Sequence, residues 1–261
     1  MRLESITGFS QCVSSAERKQ RFGVTFTNLF LWVLIGVATV ALTAVSFGAF
    51  LIILGLSWLV RSLFSGYHVR RLQALGATVS PTQFPQVHQA LVEVCSRFGV
   101  ARPSRVIVVS SGETNAFAVK FARKKVILIL SELLEGIVDQ PAELRALLGH
   151  ELCHTALDHG SRGTFEIYKP ARYKAARELT CDNAGFVAAG GDLENATAMI
   201  KKLCVGKVLY RHLSDAALVE EALDIYSGFV GWLIRSHLTH PPAGARLQNL
   251  QDFARDLWGG V

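Results

Sequence analysis

Charged residues are missing from a long stretch near the N-terminus: the 39 positions 22–60 contain no Asp, Glu, Lys or Arg. A helix in a soluble core needs no such run, whereas one transmembrane helix takes about 20 apolar residues. The run is therefore about two helices long, and Lys and Arg flank both of its ends, which the positive-inside tendency places in the cytoplasm. The sequence predicts a transmembrane hairpin over residues 22–64, with its turn near residues 43–46 or Gly48. A single tilted helix of about 25 residues, with its two ends on opposite faces of the membrane, is the alternative.

Cysteines are few as well: the chain has five, an odd number without paired spacing, which argues against a disulfide framework and fits a reducing compartment. The sequence also lacks a clustered Lys/Arg stripe with interleaved aromatic residues, so the net charge of +6 does not indicate nucleic-acid binding. Basic residues beside a membrane segment instead meet anionic lipid. We therefore expect the lipid bilayer as a partner and no nucleic acid. The expected location is a membrane, the bacterial inner membrane, with the C-terminal part in the cytoplasm; the oligomeric state stays open.

The length of 261 residues allows one compact domain after the membrane segment. We predict a polar tail at 1–21, a linker at 65–80 and a folded domain at 81–261, which should fold without the first 70 or so residues, an approximate boundary. Apolar periodicity and end signals predict helices at 84–98, from Pro141 to Gly160, at about 171–189, and twice within 192–236. Short β-branched runs predict strands at 106–109 and 126–130, with 115–119 as a further strand between them. Together these elements predict the α+β class.

His150, Glu151 and His154 form an HExxH pattern inside a predicted helix. Residues four positions apart share a helix face, so both imidazoles can bind one ion. Catalytic zinc takes three protein ligands and keeps one position open, and Glu178 is the predicted third ligand. Asp182 lies one turn beyond Glu178 and can accept a hydrogen bond from a ligand histidine, which fixes the orientation of that histidine. Glu151 is then the predicted general base that takes a proton from the attacking water, and one Zn²⁺ per chain is the predicted cofactor.

Two cysteines lie beside these ligands in the sequence. Cys153 is adjacent to His154 and should point away from the face that the two histidines share. Cys181 follows Glu178 in the second helix. Both are predicted to be small buried residues rather than ligands of the zinc.

His240 is a candidate for stabilising the oxyanion that forms when the scissile carbonyl is attacked. Pro241 and Pro242 restrict the backbone after it and can hold it in one place. The other candidates for this role are Tyr168, Tyr173 and His237. The alternative is a structural role, in which His240 braces the helix that begins near Ala243 and Arg246 pairs with an acidic neighbour.

These residues belong to an ordered series that resembles the HtpX-like family of membrane zinc metallopeptidases, which are gluzincins related to the CAAX prenyl protease. The series comprises the hydrophobic segments, TNAFA at 114–118, ELRALLG at 143–149, the metal motif, His159, Arg177-Glu178 with Asp182, and THPP at 239–242 followed by Arg246. The resemblance implies a gluzincin-type domain in which strand 115–119 forms one edge of a small sheet. It also implies that Asn115, Ala116 and Phe117 bind an extended protein or peptide substrate, since unpaired edge N–H and C=O groups bind peptide backbone. A fully paired hairpin strand is the alternative.

The chain departs from this family between the histidine motif and the glutamate. HtpX-type members usually carry two further membrane helices there, whereas only 23 mostly polar residues separate His154 from Glu178 here. The expected function is a membrane-anchored zinc-dependent endopeptidase that acts on membrane or membrane-proximal proteins, for example in quality control. One alternative is a catalytically silent zinc-binding interaction module, against which the intact Glu151 weighs. Another is a structural zinc protein, which would need a closed site with a fourth ligand.

Overall fold

The computed structural model describes residues 3–121, 124–157, 159 and 167–259. Over these residues the chain forms a mostly helical structure with one small sheet, which confirms the predicted α+β class. The helices are α1 (Ser15–Val45), α2 (Ala49–Leu75), α3 (Pro85–Arg97), α4 (Ser131–Glu135), α5 (Pro141–Ala156), α6 (Ala171–Ala188), α7 (Leu193–Leu209), α8 (Asp215–Ile225), α9 (Gly228–His237) and α10 (Ala243–Trp258). The strands are β1 (Gly76–Thr78), β2 (Arg105–Val109), β3 (Ala116–Phe121) and β4 (Lys124–Leu130). Gly160, the predicted end of the helix that begins at Pro141, lies outside the described residues, and that helix ends at Ala156.

The four strands form one mixed sheet in the order β1-β2-β4-β3. Strands β2 and β4 are parallel, while β1 and β3 run antiparallel to their neighbours. Alternate side chains of the sheet face opposite sides, as in any strand: Ile127 and Ile129 join the main core, whereas Ile107 and Val126 pack near Leu72 of α2. Within the described residues β3 pairs on one side only, so it is an edge strand, and it begins one residue later than the predicted strand 115–119.

Helices α5 and α6 cross at very short distance because small residues meet at the crossing. A Cβ on Gly149 would lie 2.5 Å from the Cβ of Ala188, and a Cβ on Gly185 would lie 2.7 Å from the carbonyl oxygen of Ala146. Any larger residue at either glycine would push the helices apart. This close approach brings the histidines of α5 within reach of the acidic residues of α6.

The predicted polar tail at 1–21 is not separate from the domain. The described part of it forms two short 3₁₀ turns, Leu3–Ser5 and Phe9–Cys12, and then the beginning of α1. Ile6, Phe9 and Cys12 are buried in the main core, and the ring of Phe9 stacks on Phe98 of α3 with centroids 4.0 Å apart. Phe9 and Cys12 lie three residues apart in the second turn, and this spacing puts both side chains on one side of a 3₁₀ turn; Ile6 lies between the two turns. The core of the folded domain therefore includes residues that precede position 81.

The predicted linker at 65–80 also differs from the structure, because helix α2 continues to Leu75 and strand β1 follows at once. Among the described residues, α1 is the helix that is long and apolar enough to cross a membrane, judged by its length and composition; the apolar part of α2 is shorter, Ala49–Val60. A turn that ends at Gly48, with a φ of 88°, joins the two helices. Since α1 begins against α6 and α2 leads into β1, the chain leaves the domain in α1 and returns to it in α2.

Candidate metal centre

The predicted metal ligands come together between α5 and α6. His150 and His154 lie one turn apart on α5, with their Nε2 atoms 3.1 Å from each other. Glu178 of α6 faces both, with Oε2 3.5 Å from His150 Nε2 and Oε1 3.4 Å from His154 Nε2. One ligand atom from each residue lies within 4.8 Å of the other two. Helical spacing on α5 and the close crossing of α6 thus produce a three-ligand cluster.

Asp182 and Arg246 fix the orientation of His150. The Nδ1–H of His150 donates to Oδ1 of Asp182 over 3.0 Å, and Arg246 of α10 donates to both oxygens of the same carboxylate, over 2.8 and 2.6 Å. Burial raises the pKa of Asp182, but the charge and hydrogen bonds of Arg246 outweigh it, so the pKa is lowered and the group is a carboxylate. The sequence predicted Asp182 beside a ligand histidine and an acidic neighbour for Arg246, but it did not show that the two residues belong to one network.

The donor set fits a divalent cation. Because Nδ1 of His150 donates its proton to Asp182, Nε2 is the ring nitrogen that faces His154 and Glu178. Burial lowers the pKa of His150, yet the hydrogen bonds and charges of Asp182 and Glu178 raise it to about 10. Burial raises the pKa of Glu178, but the hydrogen bonds and charges of His150 and His154 hold it well below its usual range. A metal ion would displace the proton from Nε2 of His150 on binding, and two imidazoles with one carboxylate are ligands that zinc accepts in catalytic sites.

Glu151 lies next to this cluster without belonging to it. Its side chain is buried, and it lines the same cavity as the two histidines. Burial raises the pKa of Glu151, although the nearby His150 and His154 partly oppose this. A carboxylate with a raised pKa beside a metal site has the property that a general base needs, since its pKa moves toward neutral pH.

The cavity in front of the ligands has a volume of about 600 Å³. Besides the metal ligands and Glu151, its walls come from β3 and the residues just before it, the segment after α5, helices α6, α7 and α10, and the segment before α10: Thr114, Asn115, Ala116, Phe117, Ala118, His159, Lys174, Arg177, Leu203, Thr239, His240 and Arg246. The structure therefore brings Asn115, Ala116 and Phe117 to the same cavity as the metal ligands. Lys174 and Arg177 also line the cavity, but the sequence analysis did not predict them as site residues. Their positions four residues and one residue before Glu178 in the same helix could have indicated this.

His240 lies at the mouth of this cavity. Its side chain is 70% exposed, and its Nε2 is 3.7 Å from Oε1 of Glu178. The hydroxyl of Thr239 lies 3.1 Å from its Nδ1. Among the described residues that line the cavity, the alternative candidates Tyr168, Tyr173 and His237 do not appear. Tyr173 is buried and accepts a hydrogen bond from Arg177, while His237 is exposed on α9.

Cys153 and Cys181 are fully buried, as predicted, and their Sγ atoms lie within 4.8 Å of each other and of a ring nitrogen of His159. The thiol of Cys181 is 3.4 Å from Nδ1 of His159, a distance that allows the S–H to donate to the ring nitrogen. Burial raises the pKa of the Cys181 thiol well above its usual range. These three groups are potential metal ligands by type and proximity, but a hydrogen-bonded neutral thiol also accounts for their arrangement.

Two histidines one turn apart, a carboxylate from a second helix and a buried glutamate beside them define the site of a metallopeptidase on an α+β domain. The family model of Peptidase family M48 matches residues 81–254, more than half of the chain. The chain belongs to peptidase family M48, which confirms the HtpX-like resemblance.

Two curated relatives agree with this assignment. The chain is 28% identical over 217 residues to Plastoglobule-localized metallopeptidase 48, chloroplastic, of Arabidopsis thaliana, a match covering 71% of this chain and 62% of that protein. It is 24% identical over 221 residues to Protease HtpX homolog of Methanopyrus kandleri, covering 67% and 68% of the two chains. The chain thus spans less than two thirds of the Arabidopsis relative. No solved structure matches the chain.

Proposed function

We propose that this protein is a membrane-anchored, zinc-dependent endopeptidase that cuts extended segments of membrane or membrane-proximal proteins. The observation that carries the proposal is the cluster of His150, His154 and Glu178 with the buried Glu151 at its side, in one cavity with an edge strand. Membership of a peptidase family supports the reaction class. The choice of zinc rests on the ligand types, and the endopeptidase activity rests on a cavity about 600 Å³ in volume that is lined along one wall by a strand edge.

The roles of the residues follow from their positions. His150, His154 and Glu178 would hold the ion, Asp182 would orient His150, and zinc would polarise the scissile carbonyl and lower the pKa of the attacking water. Glu151 takes the proton from that water and delivers it to the leaving amine, which needs a carboxylate with a raised pKa.

His240 would donate a hydrogen bond to the oxygen of the scissile carbonyl. It lines the cavity beside Glu178, and its ring is exposed to an incoming substrate. A donor at this place stabilises the negative charge that develops on the oxygen during attack.

The substrate backbone would pair with the outer edge of β3. Leu130 N–H donates to Asn115 C=O over 3.1 Å, which makes residues 115 and 130 a hydrogen-bonded pair in the antiparallel ladder. Backbone groups alternate in direction along such a ladder, so those of Ala116 and Ala118 face away from β4. The amide of Ala116 is already occupied by the side chain of Asn115 at 2.8 Å. The N–H of Ala118 and the C=O groups at this edge are therefore the proposed contacts to the substrate.

The anchor is proposed to be the pair α1 and α2. Large apolar side chains are exposed along α1 from Phe22 onward and along α2 from Leu51 to Leu59, which fits lipid contact. Because the chain leaves the domain in α1 and returns in α2, crossing by both helices keeps both ends on one side.

Metal removal and restoration test the proposal on the full chain in detergent. We expect about one zinc per chain, hydrolysis of unfolded casein that stops when a chelator removes the metal, and recovery when zinc is added back. Helical circular dichroism recorded on the metal-free protein controls for unfolding. A folded chain that holds zinc and leaves casein intact would instead be the catalytically silent interaction module.

A further inference from the structure

Helix α9 leaves most of its apolar side chains uncovered. Phe229 is 75% exposed and Trp232 48%, and Val230 and Leu233 are exposed beside them. In this helix Gly231 alone is buried, where a Cβ would lie 2.3 Å from the backbone of Tyr226. Monomeric soluble proteins rarely expose so many large apolar side chains together, which indicates that something covers this helix.

Helix α9 is connected to the beginning of α1 through α6. Gln20 of α1 donates from Nε2 to the carbonyl oxygen of Arg172 over 3.4 Å, and the guanidinium of Arg172 lies 5.6 Å from the ring centroid of Trp232. Phe22, two residues after Gln20, is 82% exposed, and exposed apolar side chains continue from there along α1. Helix α9 therefore lies at the level where the uncovered apolar surface of α1 begins.

Exposed basic side chains gather at this level: Arg18, Lys19, Arg21, Arg172 and Arg235. Arg235 lies over the ring of Tyr226, 5.3 Å from its centroid, just as Arg172 lies over Trp232. Aromatic rings with neighbouring Arg and Lys are typical of the headgroup region, where the rings meet the acyl chains and the cations meet anionic phosphates.

We propose that α9 is an interfacial helix that lies in the plane of an anionic membrane, with Phe229, Val230 and Trp232 in the boundary between headgroups and acyl chains. The inference rests on the proposed membrane anchorage of α1 and α2. The ten residues of α9 extend about 15 Å, roughly half of the hydrocarbon thickness, so the helix lies along the surface instead of crossing.

The position of α9 determines which substrates can reach the metal cavity. The helix ends at His237, and Thr239 and His240, which line the metal cavity, follow almost at once. An α9 held in the headgroup region therefore keeps the mouth of the cavity close to the membrane surface. Segments of membrane proteins that emerge there in extended form are the substrates that this arrangement favours.

Depth-dependent fluorescence quenching tests the placement on the full chain in nanodiscs with anionic lipid. The exposed Cys204 is replaced by Ser, which leaves four buried cysteines, and an NBD fluorophore is attached at Val230→Cys. Two matched labels are placed at Val40→Cys on α1, for the anchor, and at the exposed Ser96→Cys on α3, for the aqueous side. Lipids that carry a nitroxide either near the headgroup or deep in the acyl chain serve as quenchers.

We expect the label at 230 to be quenched more strongly by the shallow nitroxide, the label at 40 by the deep nitroxide, and the label at 96 by neither. Quenching at 40 without quenching at 230 would overturn the interfacial helix and leave the anchor intact. A blue-shifted but unquenched label at 230 would show that a protein partner or a second copy covers α9, which also overturns the proposal. Absence of quenching at both 40 and 230 would overturn the anchor and the interfacial helix together.

Cleavage of a membrane-tethered peptide, compared with cleavage of a soluble protein, tests whether α9 favours substrates at the membrane. The double variant Phe229→Asp/Trp232→Asp should cleave a membrane-tethered peptide roughly tenfold more slowly, since two interfacial side chains are lost. Its cleavage of soluble unfolded casein should stay within about twofold of the parent chain, because neither residue lines the metal cavity. Equal loss on both substrates, or no loss on the tethered peptide, would contradict a role for α9 at the membrane.

Discussion

At the scale of single residues, the orientation of the metal ligand His150 depends on a series of hydrogen bonds that begins at Arg246. Arg246 holds Asp182, Asp182 holds His150, and His150 presents its remaining nitrogen to the ion. Each contact fixes the geometry of the next, which is how outer hydrogen bonds set the orientation of a ligand. His240 is different, because its side chain is exposed and its Nε2 lies 3.7 Å from Oε1 of the ligand Glu178.

The variant His240→Ala should keep about one zinc per chain and lose roughly a hundredfold in kcat, since one donor to the oxyanion usually contributes that much. The measurement is steady-state cleavage of a fluorogenic peptide, with zinc content determined on the same preparation. His237→Ala is the matched control, because His237 is an exposed histidine three residues earlier, at the end of α9, and lies outside the cavity lining that the structure describes. Unchanged turnover in His240→Ala, or loss of zinc together with stability, would assign His240 to the structure instead.

At the scale of elements, the edge strand β3 carries the proposed recognition of the substrate backbone. Ala118→Pro removes the N–H that faces away from β4, and proline is tolerated on edge strands where the amide faces outward. We expect kcat/KM to fall roughly tenfold with zinc content unchanged, since one hydrogen bond to a bound peptide is lost. Ala118→Gly keeps the N–H and should stay close to the parent chain. Equal kcat/KM for the proline and glycine variants would show that substrate does not pair with this edge.

A buried ion pair connects α5 to α7 and supports the helix that carries the histidines. Lys202 donates to Glu143 at 2.5 Å and to the carbonyl oxygen of Gly136 at 2.8 Å, and both charged side chains are almost fully buried. Lys202→Met should lower the free energy of unfolding by about 3–5 kcal/mol, because it leaves the carboxylate of Glu143 buried without its partner. Urea titration in detergent measures the change.

The double variant Glu143→Leu/Lys202→Met is the control for this ion pair. It removes both charges and should recover most of the lost stability, since apolar residues of similar volume replace buried ion pairs at little cost. A double variant as unstable as Lys202→Met alone would mean that the loss comes from packing and not from the uncompensated charge.

The sequence could predict those parts of the site that depend on spacing within one element. His150 and His154 share a helix face by their spacing of four, and Glu178 and Asp182 do so in the next helix. Contacts between elements could not be derived in this way: Arg246 reaches Asp182 across 64 positions, and no local pattern encodes that distance. Among the elements, the helices predicted at 84–98 and 171–189 and the strands predicted at 106–109 and 126–130 lie close to their observed bounds. The prediction of two helices within 192–236 was wrong, because the chain forms three there, α7, α8 and α9. The edge position of β3 came from the resemblance and not from its own residues.

At the scale of the whole molecule, the N-terminal segment and the peptidase domain form one core. The sequence did not predict this shared core, because three apolar residues spaced three apart in a mixed polar segment are too weak a signal. The contact that Asn28 makes with the domain could not be predicted either. That residue lies inside the uncharged run and is buried, where its Oδ1 accepts from the backbone N–H of Tyr168 over 2.7 Å. Ser14 and Glu17 likewise bond to Thr180 of α6, near the metal ligand on the same helix.

A chain that begins at residue 71 should therefore fail to fold into a stable metal-binding domain, contrary to the prediction from the sequence. It lacks Ile6 and Phe9, each of which contributes about 1.5–3 kcal/mol by burial, and it leaves Phe98 without its stacking partner. Thermal unfolding and zinc content of the truncated and full chains measure this. The single variant Phe9→Ser in the full chain, beside the exposed control Ser10→Ala, separates loss of the core contact from loss of the membrane helices. A truncated chain that melts cooperatively and binds zinc would show that the domain boundary lies near residue 81.

The measurement that tests the central claim most directly is the comparison of Glu151→Gln with the parent chain for zinc content and casein hydrolysis on the same full-length preparations. The exposed Glu221→Gln on α8 serves as the control for replacing a glutamate. If Glu151 moves the proton of the attacking water and does not hold the ion, Glu151→Gln retains about one zinc per chain and loses hydrolysis by roughly 10²–10⁴-fold. Hydrolysis within about twofold of the parent chain, well short of the loss expected for a general base, would contradict the account.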